Sequence, residues 1–174
     1  MIESELKFKI ENEETIKEKI KQLNVTIHKE IEQEDIYLDF KDMRLYKEDK
    51  ALRLRKEDGK FFITFKGKRK NEKIKTRREI VVQLNSKYIK KILSLFKELG
   101  LKPVIKIKKK REIFRINNFE IAIDKVENIG NFVEVEILKE NNKYELKELL
   151  DKLGLNDIML VNETYPEIIN KIKH

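Results

Sequence analysis

The first ten residues can form little other than a strand. From Ile2 to Ile10, Glu3, Glu5, Lys7 and Lys9 share one parity, while Ile2, Leu6, Phe8 and Ile10 share the other. Successive side chains on a strand point to opposite faces, so one face of this segment is apolar and the other is fully charged. Two carboxylates followed by ammonium groups on one face set groups that hold hard metal ions beside groups that hold phosphate. Later segments repeat the arrangement, and that repetition limits the folds the chain can take.

Charge is the second constraint. Of 174 residues, 41% are charged and 40% hydrophobic, a balance that still supplies a core, and the net charge is +8. An anionic partner follows: nucleic acid, an acidic membrane surface or a polyphosphate. The absence of cysteine excludes disulfides, thiolate metal sites and cysteine nucleophiles. Glu3 and Glu5 interrupt any apolar run after Met1, and no segment approaches transmembrane length, so a cytoplasmic protein with no membrane partner is expected. No low-complexity stretch or Gly/Ser/Pro linker divides the chain, and residues 1–174 read as one domain.

Along the chain, Asn12-Glu13-Glu14 starts a helix with Ile16, Ile20 and Leu23 at helical spacing. Val25 to Phe40 reads as extended, ending with Asp35, Tyr37 and Asp39 opposite Ile36, Leu38 and Phe40. Asp58-Gly59 joins Ala51–Arg55 to Phe61–Lys68 as a hairpin whose polar face carries Arg53, Arg55, Thr64, Lys66 and Lys68. Thr76 to Leu84 is a further strand with Arg77, Glu79 and Gln83 on its polar side, where Val81 breaks the row. Ser86 is the expected N-cap of a helix whose apolar positions run from Ile89 to Leu99, with Gly100 as its stop.

After Pro103 the apolar positions are first odd (Ile105, Ile107) and then even (Phe114, Ile116), which predicts a bulge near Lys109 or Lys110. Without that register, Lys106 and Lys108 are alternatives to Lys109 as inward groups. Phe119–Asp124 and Phe132–Ile137 complete about eight strands, the last again with two glutamates, Glu134 and Glu136, on one face. Tyr144 to Leu153 and the segment after Pro166 read as helices, the latter burying Ile168, Ile169 and Ile172.

Charged rows on at least five strands are too extensive for one flat exposed sheet. Closing the sheet turns the charged face inward and leaves the apolar face for helices, giving an α+β fold with an eight-stranded antiparallel closed barrel. Acids then fall on the first strand (Glu3, Glu5), the seventh (Asp124) and the last (Glu134, Glu136), and bases on the strands between. A triphosphate carrying a divalent metal asks for this division of charge.

Glu3-Ser4-Glu5-Leu6-Lys7 matches the E-x-E-x-K signature of the CYTH superfamily, the triphosphate tunnel metalloenzymes. Asp35-Ile36-Tyr37, Leu52-Arg53-Leu54-Arg55, Thr64-Phe65-Lys66-Gly67, Arg77-Arg78-Glu79, Lys109-Lys110-Arg111, Asp124 to Glu136 and Thr164-Tyr165 follow like its blocks in order. The Asp35 block and the run from Asp124 are most similar to the class IV adenylyl cyclase subgroup. The resemblance implies a tunnel in which Glu3, Glu5 and Glu136, helped by Glu134, hold Mg²⁺ or Mn²⁺. It implies also that Lys7, Arg53, Arg55, Lys66, Arg77, Lys109 and Arg111 clamp the phosphates.

One position departs from the family pattern. Where that strand usually reads R-x-E-x-E, the chain has Glu79 and then Val81. Glu79 is therefore the remaining acid of the strand, and Asp39 or Asp124 is expected to take over the lost role, making these three the candidate catalytic carboxylates.

The expected activity is hydrolysis of an inorganic or nucleoside triphosphate, with class IV cyclisation of ATP as the alternative and non-catalytic binding of polyphosphate or nucleotide as a third reading. Nucleic acid is disfavoured, because bases alternate with acids on neighbouring strands and aromatics take the apolar parity. Tyr37 reads as a ligand for base or hydroxyl, or as a buried structural tyrosine, and His28 as an exposed residue without a role. The apolar outer surface leaves a homodimer open.

Overall fold

A computed structural model describes residues 2–70, 74–139 and 143–173. In chain order the elements are β1 (Ile2–Ile10), α1 (Glu13–Lys21), β2 (Ile27–Asp39), α2 (Arg44–Lys47), β3 (Ala51–Glu57), β4 (Lys60–Lys66) and β5 (Lys75–Leu84). They continue with α3 (Ile89–Glu98), β6 (Lys102–Ile116), β7 (Phe119–Val126), β8 (Gly130–Ile137), α4 (Lys143–Leu153) and α5 (Tyr165–Lys173). The strands are antiparallel and close into a barrel in the order β1-β5-β4-β3-β2-β6-β7-β8. The expected fold is the observed one.

Local chemistry accounts for most of the joints. Asp58 and Gly59 both have positive φ, 45° and 77°. That is the type I′ geometry whose twist matches a two-residue hairpin, here joining Glu57 to Lys60. The side chain of Asn12 accepts the Glu14 N–H at 2.9 Å and starts α1. At the next helix the expected cap is displaced by one residue: Asn85, not Ser86, accepts the Lys87 N–H at 3.1 Å and opens a 3₁₀ turn that leads into α3. Asn has the same short acceptor as Ser, and the first residue able to reach a free N–H takes the position.

The parity change in β6 needs no bulge near Lys109. Odd positions face inward throughout, so Ile105, Ile107, Lys109 and Ile113 are all buried, while Lys106, Lys108 and Lys110 are exposed. Phe114 and Ile116 are buried because helices cover the outer face at that end. The register shift lies instead at Tyr37/Leu38, where Tyr37 pairs with Ile105 and Leu38 with Pro103, skipping Val104.

The main core is outside the barrel wall. Leu6, Phe8 and Ile10 of β1, Ile121 and Ile123 of β7, and Val133 and Val135 of β8 pack with Ile16 and Ile20 of α1 and Leu149 and Leu153 of α4. Each such burial contributes about 1.5–3 kcal/mol. One expectation for helix burial is corrected, since Ile172 on α5 is 64% exposed; α3, for its part, buries none of its residues fully. Among the described residues no helix is long and apolar enough to cross a membrane.

Residues after α4 run beside β1, with Lys9 N–H donating to the Met159 carbonyl and Val161 N–H to the Lys7 carbonyl, both at 2.8 Å. This short pairing brings the start of α5 to the barrel opening, where Tyr165 is buried beside Phe132.

Candidate active site: a tunnel of paired charges

Strand register sets the interior groups. Glu5 stands opposite Glu136 across β1 and β8, and Glu136 opposite Glu120 across β8 and β7. Three carboxylates thus share one level of the wall, and Lys7 and Glu134 share the next. Among the described residues neither the Glu5 nor the Glu136 carboxylate makes a hydrogen bond or ion pair with protein, while Glu120 accepts from Arg115 at 3.0 Å. Burial, followed by the charges of Glu3, Glu120 and Glu5, pushes the Glu136 carboxyl up to about 7. Like charges set opposite one another on strands are unfavourable. The row fits a hard divalent cation, which takes carboxylate oxygens and removes the repulsion.

Beside this row the charges are matched. Lys66 donates to both Glu3 oxygens at 2.8 Å, and Arg77 Nε lies 3.4 Å from Glu3. Burial favours the neutral form of Glu3, yet the charges of Lys66, Arg77 and Arg53 hold it below the usual carboxylate range. Glu79 is 3.4 Å from Lys66 and 4.0 Å from Arg53. Asp35 receives a two-point contact from Arg55 at 2.6 and 2.7 Å, with Arg53 at 3.7 Å. Burial raises the Asp35 pKa, but these two guanidinium groups outweigh it and leave the carboxyl far below its ordinary value.

A second hub is centred on Asp124, which is fully buried. It accepts from Lys109 at 2.8 Å, from Arg111 at 2.5 Å through two nitrogens, and from the Tyr165 hydroxyl at 2.7 Å. Arg111 also reaches Glu134, which is 3.3 Å from Lys7. The Lys7 ammonium sits over the Tyr165 ring, 3.7 Å from its centre. Burial and the neighbouring Arg111 charge depress Lys109 to about 8, against the pull of Asp124 and Glu134.

The cavity, counted out to bulk solvent, encloses about 1150 Å³. Its wall includes Glu3, Glu5, Lys7, Arg53, Arg55, Lys66, Arg77, Lys109, Arg111, Glu134 and Glu136. The lining of the same cavity also includes Leu38, Met43, Leu45, Val104 and Pro166, an apolar vestibule, together with Tyr46 and the charged Asp49, Lys50 and Glu167. The vestibule was not legible in the sequence, because α2 is a single turn and Leu38, beside the register shift, has the outward parity of its strand.

The three acids expected to be catalytic are in different settings. Asp124 is enclosed by its cations and Tyr165, and Glu79 faces Lys66 and Arg53. Both oxygens of Asp39 are taken by backbone N–H groups, those of Phe40 at 2.7 Å, Leu45 at 3.0 Å and Tyr46 at 2.9 Å, so this residue pins α2 beside the cavity. Lys68 follows the end of β4 and is exposed. Val81 pairs with Thr64 and is 51% exposed.

Glu120 belongs to the site and was not singled out from sequence, and Asp35 and Tyr165, which stand in the family-like blocks, were given no role in it. Glu120 shares the parity of Asp124 and Asp35 that of Asp39, a signal that was present. Tyr165 enters from a helix, where strand parity says nothing. His28, expected to be idle, stacks on Phe114 with ring centres 4.5 Å apart. With Glu30 and Glu112 it forms a potential metal-ligating group on the outer face, where Glu112 already pairs with Lys17.

Comparison with known proteins agrees with this architecture. The family model described as the CYTH domain matches residues 1–165. A Methanocaldococcus jannaschii protein provisionally named an adenylate cyclase is 38% identical over 97% of this chain and 98% of its own length. The structure of the PH1012 protein from Pyrococcus horikoshii superposes with a TM-score of 0.81 at 30% identity, covering 95% of this chain and 98% of that one. A Hippeastrum protein described as having a dominant triphosphatase activity gives a TM-score of 0.73 over 97% of this chain and 95% of its own, and at 15% identity the likeness is one of fold alone.

Proposed function

The chain belongs to the CYTH domain family, and on that premise we propose that it is a divalent-metal-dependent enzyme that binds a triphosphate in its tunnel and hydrolyses it. The observation that carries this reading is the row Glu5, Glu136 and Glu120, acids without enough cations, in one cavity with Lys66, Arg77, Arg53, Lys109 and Arg111. Carboxylates in excess hold a metal, and clustered cations hold phosphate.

Glu5 and Glu136, with Glu3, Glu134 and Glu120 around them, would hold Mg²⁺ or Mn²⁺, which would supply neutralisation of phosphate oxygens and activation of water. The cations meet an arriving triphosphate by exchanging partners. Lys66 and Arg77 leave Glu3 for phosphate oxygens, and the released Glu3 carboxylate joins Glu5 and Glu136. Arg53 and Arg55 stay oriented by Asp35, and Lys109 and Arg111 by Asp124, so their charges face the phosphates with little reorganisation. Glu79, the acid beside Lys66, accepts a proton from water attacking the terminal phosphorus, while the bond from that phosphorus to its bridging oxygen breaks and the shorter phosphate leaves with its charge met by the remaining cations. Asp39 serves by fixing α2, and Asp124 by positioning its two bases.

A second reading, cyclisation of ATP, is favoured by the vestibule of Leu38, Met43, Leu45 and Val104, which offers apolar surface for a nucleobase at one end of the phosphate site. The name of the M. jannaschii relative supports it. Phosphorus NMR of the protein with Mg²⁺ or Mn²⁺, incubated separately with tripolyphosphate and ATP, tests both. Orthophosphate with a shorter phosphate product supports hydrolysis, and pyrophosphate with cyclic AMP supports cyclisation. Shifted ligand resonances without turnover contradict both and leave a binding protein.

A further inference from the structure

Arg69 ties together three segments that are distant in sequence. It follows the end of β4, and its backbone N–H donates to Asp49 Oδ2 at 2.9 Å while its guanidinium reaches Asp49 Oδ1 at 2.7 Å. The same guanidinium makes a two-point contact with Glu167, at 2.8 and 3.2 Å, and donates to the Asn162 carbonyl at 3.0 Å. Glu167 is itself built into the start of α5. Its Oε2 accepts the Thr164 N–H at 2.6 Å, and its own N–H donates to Thr164 Oγ1 at 3.4 Å, which makes a capping box. One side chain thus holds the turn after α2 and the first turn of α5 together.

The turn held in this way carries Tyr165. The Tyr165 ring lies under the Lys7 ammonium at 3.7 Å and the Lys109 ammonium at 5.0 Å, and its hydroxyl reaches Asp124. Two cations of the phosphate site therefore rest on one ring. The backbone pairing of this segment with β1 ends at Val161. Arg69 continues the anchoring beyond that point from outside the cavity wall, to which Asp49, Tyr165 and Glu167 belong. Isolated surface ion pairs contribute little, but the Arg69 and Glu167 side chains are each only 22% exposed and meet at two points.

We propose that Arg69 is a positioning residue of the phosphate site: it clasps the first turn of α5 so that Tyr165 keeps Lys7 and Lys109 aimed at the ligand. The inference rests on the reading of the tunnel as a triphosphate site and adds a residue that touches neither ligand nor metal. Arginine suits the task because its planar fork serves Asp49, Glu167 and the Asn162 carbonyl at once, which a single ammonium meets only in part. Small displacements of groups that hold a ligand are costly. Loosening the clasp therefore weakens triphosphate binding from a distance.

Calorimetric titration of the whole chain with tripolyphosphate and Mg²⁺ tests the proposal. Arg69→Met raises Kd at least about tenfold, and Arg69→Lys falls between it and the wild type. Glu167→Gln is the sharper variant, and it serves also where Arg69→Met does not fold. It removes a negative charge beside the cavity, so charge alone strengthens binding of an anion, whereas a loosened clasp weakens it. Tyr165→Ala weakens binding as well, and adding Arg69→Met to it changes Kd by less than about twofold, because both act through the same ring. Lys152→Met, which breaks an exposed pair with Glu148 elsewhere on the surface, leaves Kd within about twofold. Tight binding by Arg69→Met, stronger binding by Glu167→Gln, or effects of Arg69→Met and Tyr165→Ala that simply multiply each overturn the inference while leaving the triphosphate site standing. A wild type without affinity for tripolyphosphate overturns the site itself.

Discussion

Glu5 and Glu136 face each other across the β1–β8 ladder, both directed into the tunnel, and among the described residues neither carboxylate has an ion-pair partner. A few residues away on the same wall other acids are paired closely with cations, as with Glu3 on Lys66 and Asp124 on Lys109. The contrast between matched and unmatched acids is what supports the proposed metal position. Replacing Glu136 with Gln removes repulsion and raises the stability of the metal-free protein by about 0.2–1 kcal/mol. The same change abolishes the rise in Tm that Mn²⁺ gives the wild type. Thermal melts with and without Mn²⁺ check both halves.

Asp124 holds Lys109, Arg111 and Tyr165 together at zero exposure. Asp124→Asn leaves two buried cations without their shared counter-charge and destabilises the fold by about 3–5 kcal/mol. Tyr165→Phe removes a single hydrogen bond and costs about 1 kcal/mol. Urea denaturation of the two variants shows the difference.

Lys109 sets a pH limit. Its value of about 8 in the fold lies below the 10.5 of a free lysine, so between these values the unfolded chain binds more protons and the contribution of this group to stability rises with pH. Phosphate binding follows the opposite direction, because the neutral amine loses its attraction for the ligand. KM for tripolyphosphate therefore increases as pH passes above about 8. In Lys109→Arg, which keeps its charge throughout, that increase is absent.

If the second reading holds, the vestibule distinguishes nucleotide from inorganic substrate. Leu45→Asp places a charge among Leu38, Met43 and Val104, and kcat/KM for ATP falls by at least about tenfold, the penalty for a charge in an apolar pocket. Tripolyphosphate, which carries no nucleobase to occupy the vestibule, is processed within about twofold of the wild-type rate if the phosphate site is untouched.

The barrel was legible because a strand declares its two faces: Glu3, Glu5 and Lys7 opposite Leu6 and Phe8 could be satisfied only by an inside and an outside. The same parity placed Arg53, Arg55, Lys66, Arg77 and Arg111 on the inner wall. Parity failed where it carried no information. Asp39 shares the inner parity, yet the chain turns immediately after it, and nearby backbone N–H groups take its carboxylate. β6 suggested a bulge because its outer face is covered by helices at one end and open at the other, a difference set by tertiary packing. Tyr165 reaches Asp124 across 41 residues from a helix, and the period of the strands cannot encode that contact.

The most direct test of the metal site is an anomalous difference map at the manganese edge from crystals grown with Mn²⁺ and tripolyphosphate. A peak between Glu5 and Glu136, with phosphate density on Lys66 and Arg77, is the predicted result. A peak only at His28, Glu30 and Glu112 on the outer face, or phosphate in the tunnel with no metal beside it, contradicts the account.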